Sequence, residues 1–438
     1  MDSCIQTATN WKNIYNERKS TPEEAISLVK SGDRLVFGHA LGEPDILIHE
    51  LVNQKERFCD VEIVHMIALG DSDYCKEDCE GHFKHNSLFG GPGSRKALNE
   101  KRADFTPVFY SEIPRLFYDN ILPVDAAFIQ IAPPDEEGYC SYGISVDYTA
   151  AAAECAKVVL AEINHQMPRT YGSAIHISKI TKFVETDRPV RELKPLSVTD
   201  VERKIGENVA ELIPDGANLQ LGIGGIPDAL LTFLKDKKDL GIHTEMFSDG
   251  VVNLFNEGVI NGKYNNLHPG KLVACFLMGT KKLYDFVHKN ENVLMKPADY
   301  TNKITVAGMV NNLISINSAI QIDLNGQVCA DTIGYKQYSG IGGQVDFVRA
   351  ASLSNGGKSI MAMPSTAKND TVSKIVVNLD PGACVTTSRS DVHYVVTEYG
   401  IANLRGKSIR QRVDALISIA HPKFKDELRH NAKLVGII

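Results

Sequence analysis

One pattern occurs twice in this chain and limits the folds open to it. Gly32-Asp33-Arg34-Leu35-Val36-Phe37-Gly38 and Gly216-Ala217-Asn218-Leu219-Gln220-Leu221-Gly222 hold equally spaced glycines around a short, largely apolar run. A helix start of the same kind precedes each. Thr21-Pro22-Glu23-Glu24 and Thr199-Asp200-Val201-Glu202 put threonine at the N-cap and glutamate three residues on, the pattern of a capping box. In the first of them proline takes the first helical position. Ala25, Leu28 and Val29, and later Val201, Ile205, Val209 and Leu212, recur at helical spacing. Gly32 and Pro214-Asp215-Gly216 end these helices. Each bracketed strand then runs through a glycine-containing turn into Pro44-Asp45 or Pro227-Asp228 and a second helix. Strand, turn and helix make a βα unit, and a chain that alternates them builds mostly parallel sheets flanked by helices.

A second pair of segments extends the correspondence. Ile129-Gln130-Ile131 leads to Asp135, Gly138 and Cys140; Ile320-Gln321-Ile322 leads to Asp323, Gly326 and Cys329. Further strands are expected at Val61 to Ala68, Val108 to Tyr110, Ala126 to Ile131, Val158 to Ile163 and Leu313 to Ile316. The expectation is an α/β protein of two similar domains related by internal duplication, 1–190 and 191–438, with its active site in the cleft between them. The segment 187–196, with Pro189 and Pro195, reads as the linker.

The 438 residues suffice for two or three domains, and 43% hydrophobic with 23% charged residues is ordinary for a globular protein. A net charge of -7 gives no reason to expect nucleic acid or an anionic membrane as partner. The first residues lack the basic and apolar regions of a signal peptide, and no apolar run has the length of a membrane span. Nine cysteines scattered through a long chain argue for reduced thiols and a cytoplasmic location. Cys75, Cys79, His82 and His85 invite zinc, but the gap between the cysteine and histidine pairs is too short for a finger. They read as surface residues of a loop near Gly90-Gly91-Pro92-Gly93, and no metal is expected.

Several segments could carry chemistry. Gly222-Ile223-Gly224-Gly225 follows a strand, but Pro227 replaces the last glycine of a dinucleotide fingerprint. It can expose backbone N–H groups to a phosphate, let an extended ligand approach the main chain, or be a bare turn. Tyr338-Ser339-Gly340-Ile341-Gly342-Gly343-Gln344 is a second glycine cluster, which either aims backbone N–H groups at a ligand or is a turn between core elements. Asn317 ends an apolar strand, where its amide could donate to a developing oxyanion or form a turn. Lys368 follows the buried run Met361-Ala362-Met363 and either reaches a phosphate or is solvated. His243-Thr244-Glu245-Met246-Phe247-Ser248-Asp249-Gly250 offers a carboxylate, Glu245, with no cation in the octapeptide. Glu398, in Val396-Thr397-Glu398-Tyr399-Gly400, is its rival, and position after a buried strand does not separate the two.

Taken in order, the Gly222–Asp228 loop, the His243–Gly250 block, Gly340–Gln344 and Val396–Gly400 make the chain similar to the acetyl-CoA hydrolase/transferase family. Within it the chain looks most like 4-hydroxybutyrate and butyryl-CoA:acetate CoA-transferases, from Trp11-Lys12-Asn13 to the region of His421-Pro422-Lys423. The resemblance implies a CoA-transferase working with coenzyme A as substrate, short-chain acyl-CoA and carboxylates as partners, and no cofactor. It implies that Glu245 becomes a glutamyl-CoA thioester and that Asn317, with the Gly342 and Gly343 amides, lies near the thioester oxygen. Gln220, Leu221, Gly222, Ile223 and Gly224 would hold CoA, joined by Ile320, Gly343 and Lys368. A homodimer or homotetramer is the corresponding expectation. An acyl-CoA hydrolase on the same scaffold is the alternative, distinguished by admitting water.

Overall fold

A computed structural model describes residues 11–195 and 197–438. The chain forms two compact units. The first takes residues up to Leu193 together with Ala274–Tyr300; the second takes Lys194–Val273 and Thr301–Ile438. Backbone bonding explains why Ala274–Tyr300 belongs with the earlier residues. Leu277 N donates to Ile144 O at 2.8 Å, Val146 N donates to Cys275 O at 3.0 Å, and the Phe276 ring packs 4.5 Å from that of His39. The sequence boundary at 190 stands close to Leu193 but leaves this returning segment on the other side.

Unit 1 is organised on seven strands: β1 (Arg34–Phe37), β2 (Val61–His65), β3 (Phe83–Ser87), β4 (Asp104–Phe105), β5 (Ala126–Ile131), β6 (Val158–Asn164) and β7 (Lys182–Thr186). Their order is β7-β6-β5-β1-β2-β3-β4, and every pairing is parallel. Unit 2 has β8 (Asn218–Gln220), β9 (Gly241–Ile242), β10 (Leu313–Asn317), β11 (Lys358–Ala362), β12 (Tyr394–Thr397) and β13 (Gly400–Asn403). The order is β9-β8-β10-β11-β12-β13, parallel throughout except for the antiparallel β12–β13 edge. Five strands of each sheet therefore follow one plan: β2-β1-β5-β6-β7 matches β9-β8-β10-β11-β12.

Both expected capping boxes open helices, α1 (Pro22–Ile26) and α2 (Asp200–Ala210). Glu24 N donates to Thr21 Oγ1, Glu202 N donates to Thr199 Oγ1, and each glutamate side chain returns to the backbone N–H of its cap. The aspartate-glycine turns also agree in detail. Asp135 Oδ1 accepts from the N–H groups of Glu137 and Tyr139, and Asp323 Oδ1 from those of Asn325 and Gln327. Gly138 and Gly326 take left-handed φ values of 88° and 95° to close them. The Ile-Gln-Ile tripeptides, by contrast, are not equivalent. Ile129–Ile131 finish β5, whereas Ile320–Ile322 lie beyond the end of β10 and enter a separate small sheet at Gln321–Asp323.

Two sequence expectations fail here. Val108 to Tyr110 makes no strand; Pro107 has no N–H to donate to a ladder, and the chain turns into a 3₁₀ segment at Tyr110–Glu112. Cys75, Cys79 and His85 are not surface loop residues, since all three are buried. Phe83-Lys84-His85-Asn86-Ser87 is the parallel strand β3, too polar to announce itself, and it takes His85 inside with Nδ1 3.1 Å from Ile63 O. Among the described residues no three histidine, cysteine or acidic side chains are grouped to hold a metal, no cysteine is in a disulfide, and no helix is long and apolar enough to cross a membrane.

Candidate active site

Because β8, β9, β10, β11 and β12 run parallel, their carboxyl ends share one edge of unit 2. Ligands of open α/β sheets bind at that edge. Gly222-Ile223-Gly224 follows β8, Glu245 follows β9, Asn317 ends β10, Ser365 follows β11 and Glu398 follows β12.

Glu245 sits half-buried one residue beyond Thr244, which is fully buried and ties this segment to the neighbouring strand end. Leu221 N donates to Thr244 Oγ1 at 3.1 Å, and Leu221 and Met246 form an antiparallel bridge. Asn302 and Gly343 are among the groups that meet the Glu245 carboxylate. Asn302 Nδ2 donates to Oε2 at 2.8 Å, and Asn302 is itself completely buried. The same Oε2 lies against the backbone of Gly343, where a Cβ would overlap both it and Asn302 Nδ2. Gly343 is the N-cap of helix α3 (Gln344–Leu353). A helix N-terminus presents unsatisfied N–H groups and partial positive charge, so an anion there is favoured without a cationic side chain. This is how the second glycine cluster and the acidic block, 98 residues apart in numbering, become one feature.

Asn317 is held in a polar network. Ser315 Oγ donates to Gln220 Oε1 at 2.8 Å, and Asn317 Nδ2 donates to Ser315 Oγ at 2.8 Å and to Gln220 Oε1 at 3.2 Å. Gln220 and Ser315 are paired across β8 and β10 and are both buried. The Gly222–Gly224 loop is open: a Cβ at either glycine would meet nothing within 4 Å, and Ile223 is 47% exposed. Gly225 differs, because the Glu202 carboxylate occupies the space over it. Burial and the nearby Asp249 and Glu202 carboxylates also raise Asp228 above the usual carboxylate range. Acidic groups thus crowd the helix side of this loop, which favours backbone approach by an extended uncharged chain over a phosphate seat. Gly342 has a φ of 56°, and it precedes Gly343 at the N-terminus of α3.

Glu398, the rival carboxylate, is pinned. Its Oε2 accepts from Ser365 N at 2.9 Å and its Oε1 from Ser365 Oγ at 2.5 Å. These bonds join the end of β12 to the chain leaving β11, a structural task. Burial lowers the adjacent Lys374 ammonium to about 8, although the Glu398 charge opposes this.

Comparison with known proteins now adds to this geometry. Models of the acetyl-CoA hydrolase/transferase N-terminal and C-terminal domains match residues 1–193 and 279–432. The chain belongs to the acetyl-CoA hydrolase/transferase family. A 4-hydroxybutyrate coenzyme A transferase of Clostridium kluyveri is 56% identical over 97% of this chain and 99% of its own. A butyryl-CoA:acetate CoA-transferase of Anaerostipes caccae is 40% identical over 98% of both chains. The crystal structure of a 4-hydroxybutyrate CoA-transferase from Porphyromonas gingivalis superposes with a TM-score of 0.84 at 43% identity, covering 97% of this chain and all of that one.

In this family member Ile320 lies where the chain leaves the sheet, its N–H donating to Cys329 O at 2.8 Å. Lys368 projects from the exposed turn between Thr366–Ala367 and Val372–Ser373. Lys368, Asn369 and Asp370 all have left-handed φ values, 52°, 54° and 59°. A run of such non-glycine residues costs roughly 1–2 kcal/mol each and is kept where the surroundings demand it. Sequence reasoning did not find Asn302, Ser315 or Ser365. Each is a small polar residue without a motif, and only the fold reveals its carboxylate or amide partner. His243 was read only as a neighbour of Glu245. It is fully buried, and its Nε2–H donates to Thr301 O at 2.9 Å. Burial lowers its imidazole to about 4, so it is neutral at physiological pH.

Proposed function

We propose that this CoA-transferase moves CoA between short-chain acyl-CoA and carboxylates, with 4-hydroxybutyrate or butyrate as the acyl group and acetate as the other acid, through a covalent thioester on Glu245. The observation that carries the reading is the seat of Glu245: a carboxylate at the edge of a parallel sheet, fixed by Asn302 against the N-terminus of α3. The matching strand orders and aspartate-glycine turns support an origin of the two units by internal duplication. The absence of a long apolar helix among the described residues is compatible with action in the cytoplasm.

The chemistry runs in balanced steps. A Glu245 oxygen attacks the acyl carbon of acyl-CoA; the C–S bond breaks and CoA leaves as thiolate. The thiolate attacks the glutamyl carbon of the resulting anhydride, and the acid leaves with the bridging oxygen. A second carboxylate attacks the glutamyl thioester, and the same steps in reverse deliver a new acyl-CoA. This is covalent catalysis with ping-pong kinetics. Asn317, and the backbone N–H groups at Gly342 and Gly343, would stabilise the oxyanions. The Gln220–Gly224 segment, Ile320 and Lys368 would bind CoA, the open glycines letting the pantetheine arm approach the backbone. Remote contacts of that kind supply binding energy that is realised at the reacting centre.

The test is to mix the protein with butyryl-CoA or 4-hydroxybutyryl-CoA without an acceptor and weigh it intact. A CoA adduct should form, borohydride should then inactivate the enzyme, and Glu245→Ala should do neither. Sustained release of free CoA with no acceptor would refute the transferase reading in favour of hydrolysis.

A further inference from the structure

The reaction contains two kinds of tetrahedral carbon, and this inference rests on the transferase reading above. Half of the steps place the oxyanion on the substrate acyl group. The other half place it on Glu245 itself, when thiolate or carboxylate attacks the glutamyl carbon. We infer that Asn302 is the oxyanion donor for these glutamyl-centred steps.

The geometry begins with Oε2. Asn302 Nδ2 stands 2.8 Å from it, within the range that suits a donor to an oxyanion. Oε2 lies against Gly343, so the amide and the α3 N-terminus converge on the same oxygen. When thiolate adds to the anhydride, the new C–S bond forms at the glutamyl carbon and the C=O electrons move onto that oxygen. Collapse restores the carbonyl, and the bond to the bridging oxygen breaks as the acid departs. In the anhydride the held oxygen is a neutral carbonyl; in the tetrahedral state it carries a full negative charge. The Asn302 bond therefore strengthens during the step, which is the condition for it to accelerate the step.

Burial secures the donor. Asn302 is wholly enclosed, so its amide has no room to swing to solvent. The preceding carbonyl, that of Thr301, accepts from His243 Nε2–H at 2.9 Å. His243 continues from β9 two residues before Glu245, and it is bridged to Val273. The nucleophile and its donor are thus set by one short path: β9, the His243 ring, the Thr301 carbonyl, the Asn302 amide and back to Glu245.

The experiment is single-turnover formation of the protein–CoA thioester from butyryl-CoA, followed by rapid quench and intact mass. Asn302→Ala and the similarly sized Asn302→Leu should slow it by about 10²–10³-fold, the usual loss on deleting an oxyanion donor. The KM for butyryl-CoA should stay within about threefold for both, because the lost contact matters mainly after binding. Asn302→Leu keeps the volume while removing the donor and adds no charge beside Glu245, so a role in packing alone would spare its rate. Thioester formation at the wild-type rate in either variant would overturn the inference. Wild-type protein that forms no thioester would instead overturn the reading of Glu245, and the two failures are separate.

Discussion

Gly343→Ala should leave the fold almost untouched and disable the enzyme. The residue has φ -89° and ψ 6°, which alanine accepts. Alanine is a poorer N-cap than glycine by about 0.5–1 kcal/mol, and the reduced freedom of the unfolded chain returns about 0.4–1 kcal/mol, so stability should change by less than about 1 kcal/mol. The new Cβ would occupy the space of Glu245 Oε2 and Asn302 Nδ2. Asn302 is enclosed, so the half-buried Glu245 carboxylate is the tip that yields, and the backbone does not. Yielding breaks the charge-assisted bond between them, worth about 1.5–3 kcal/mol, or roughly 10–150-fold in rate if it is realised in the transition state. Displacing a nucleophile by about 1 Å adds a loss of similar size. The kcat for CoA transfer from butyryl-CoA to acetate should fall at least about 10²-fold with Tm nearly constant. Gly342→Ala is the opposite control: its φ of 56° is left-handed, so alanine there costs about 1–2 kcal/mol and lowers Tm. A Gly343→Ala enzyme with kcat within threefold of wild type would refute the seating of Glu245 against this helix.

Acid should unfold the protein partly through its buried imidazoles. Burial holds His85 and His243 down to about 4, so between pH 6.5 and 4 the unfolded chain binds protons that the folded chain refuses. Stability is complete above about pH 6.5 and falls as pH drops to about 4, by up to roughly 3 kcal/mol for each group. His243→Gln should flatten that slope by up to one proton in urea titrations at stepped pH, and an unchanged slope would exclude His243 as a contributor. Glu398→Gln should still form the CoA adduct on Glu245, readable by peptide mass, because Ser365 gives Glu398 a structural task; an adduct lost from this variant would reopen its candidacy as nucleophile. Thr199→Ala removes the acceptor for Glu202 N and should cost about 1 kcal/mol in urea unfolding with kcat unchanged.

The strands legible in the sequence were those with apolar runs between glycines, and β1, β5 and β6 appear almost at the expected bounds. The capping boxes were legible because their chemistry is local. What escaped was non-local. β3 is a buried parallel strand written in polar letters, Phe83-Lys84-His85-Asn86-Ser87, and nothing in its own composition marks it. Asn302 has no neighbour in sequence that explains it, and its meaning depends on a carboxylate 57 positions earlier. The seat of Glu245 escaped for the same reason: the α3 N-terminus and a buried amide meet its carboxylate through backbone geometry, which no residue type advertises.

The sheets themselves support placing the proposed chemistry in unit 2. Register makes the comparison residue by residue. Leu35 pairs with Ile63 and Ala126 in unit 1, and Leu219 pairs with Ile242 and Ile314 in unit 2. Counting on from these anchors, Met66 takes the place of Glu245, and Val36, Ala127 and Ile129 take the places of Gln220, Ser315 and Asn317. All four unit 1 residues are buried and apolar. The stitch between the first two strand ends is kept in both: His65 Nε2 lies 3.0 Å from Gly38 O, and Thr244 accepts from Leu221 N. One sheet therefore fills this edge with hydrocarbon, which packs without conditions. The other fills it with an amide–hydroxyl–amide network, which costs free energy unless every group is paired. Stability alone offers no reason to accept that risk where Val, Ala and Ile serve the same positions. The proposed mechanism supplies the reason: there this edge meets a developing oxyanion, and the carboxylate at the Met66 position is the group that makes one.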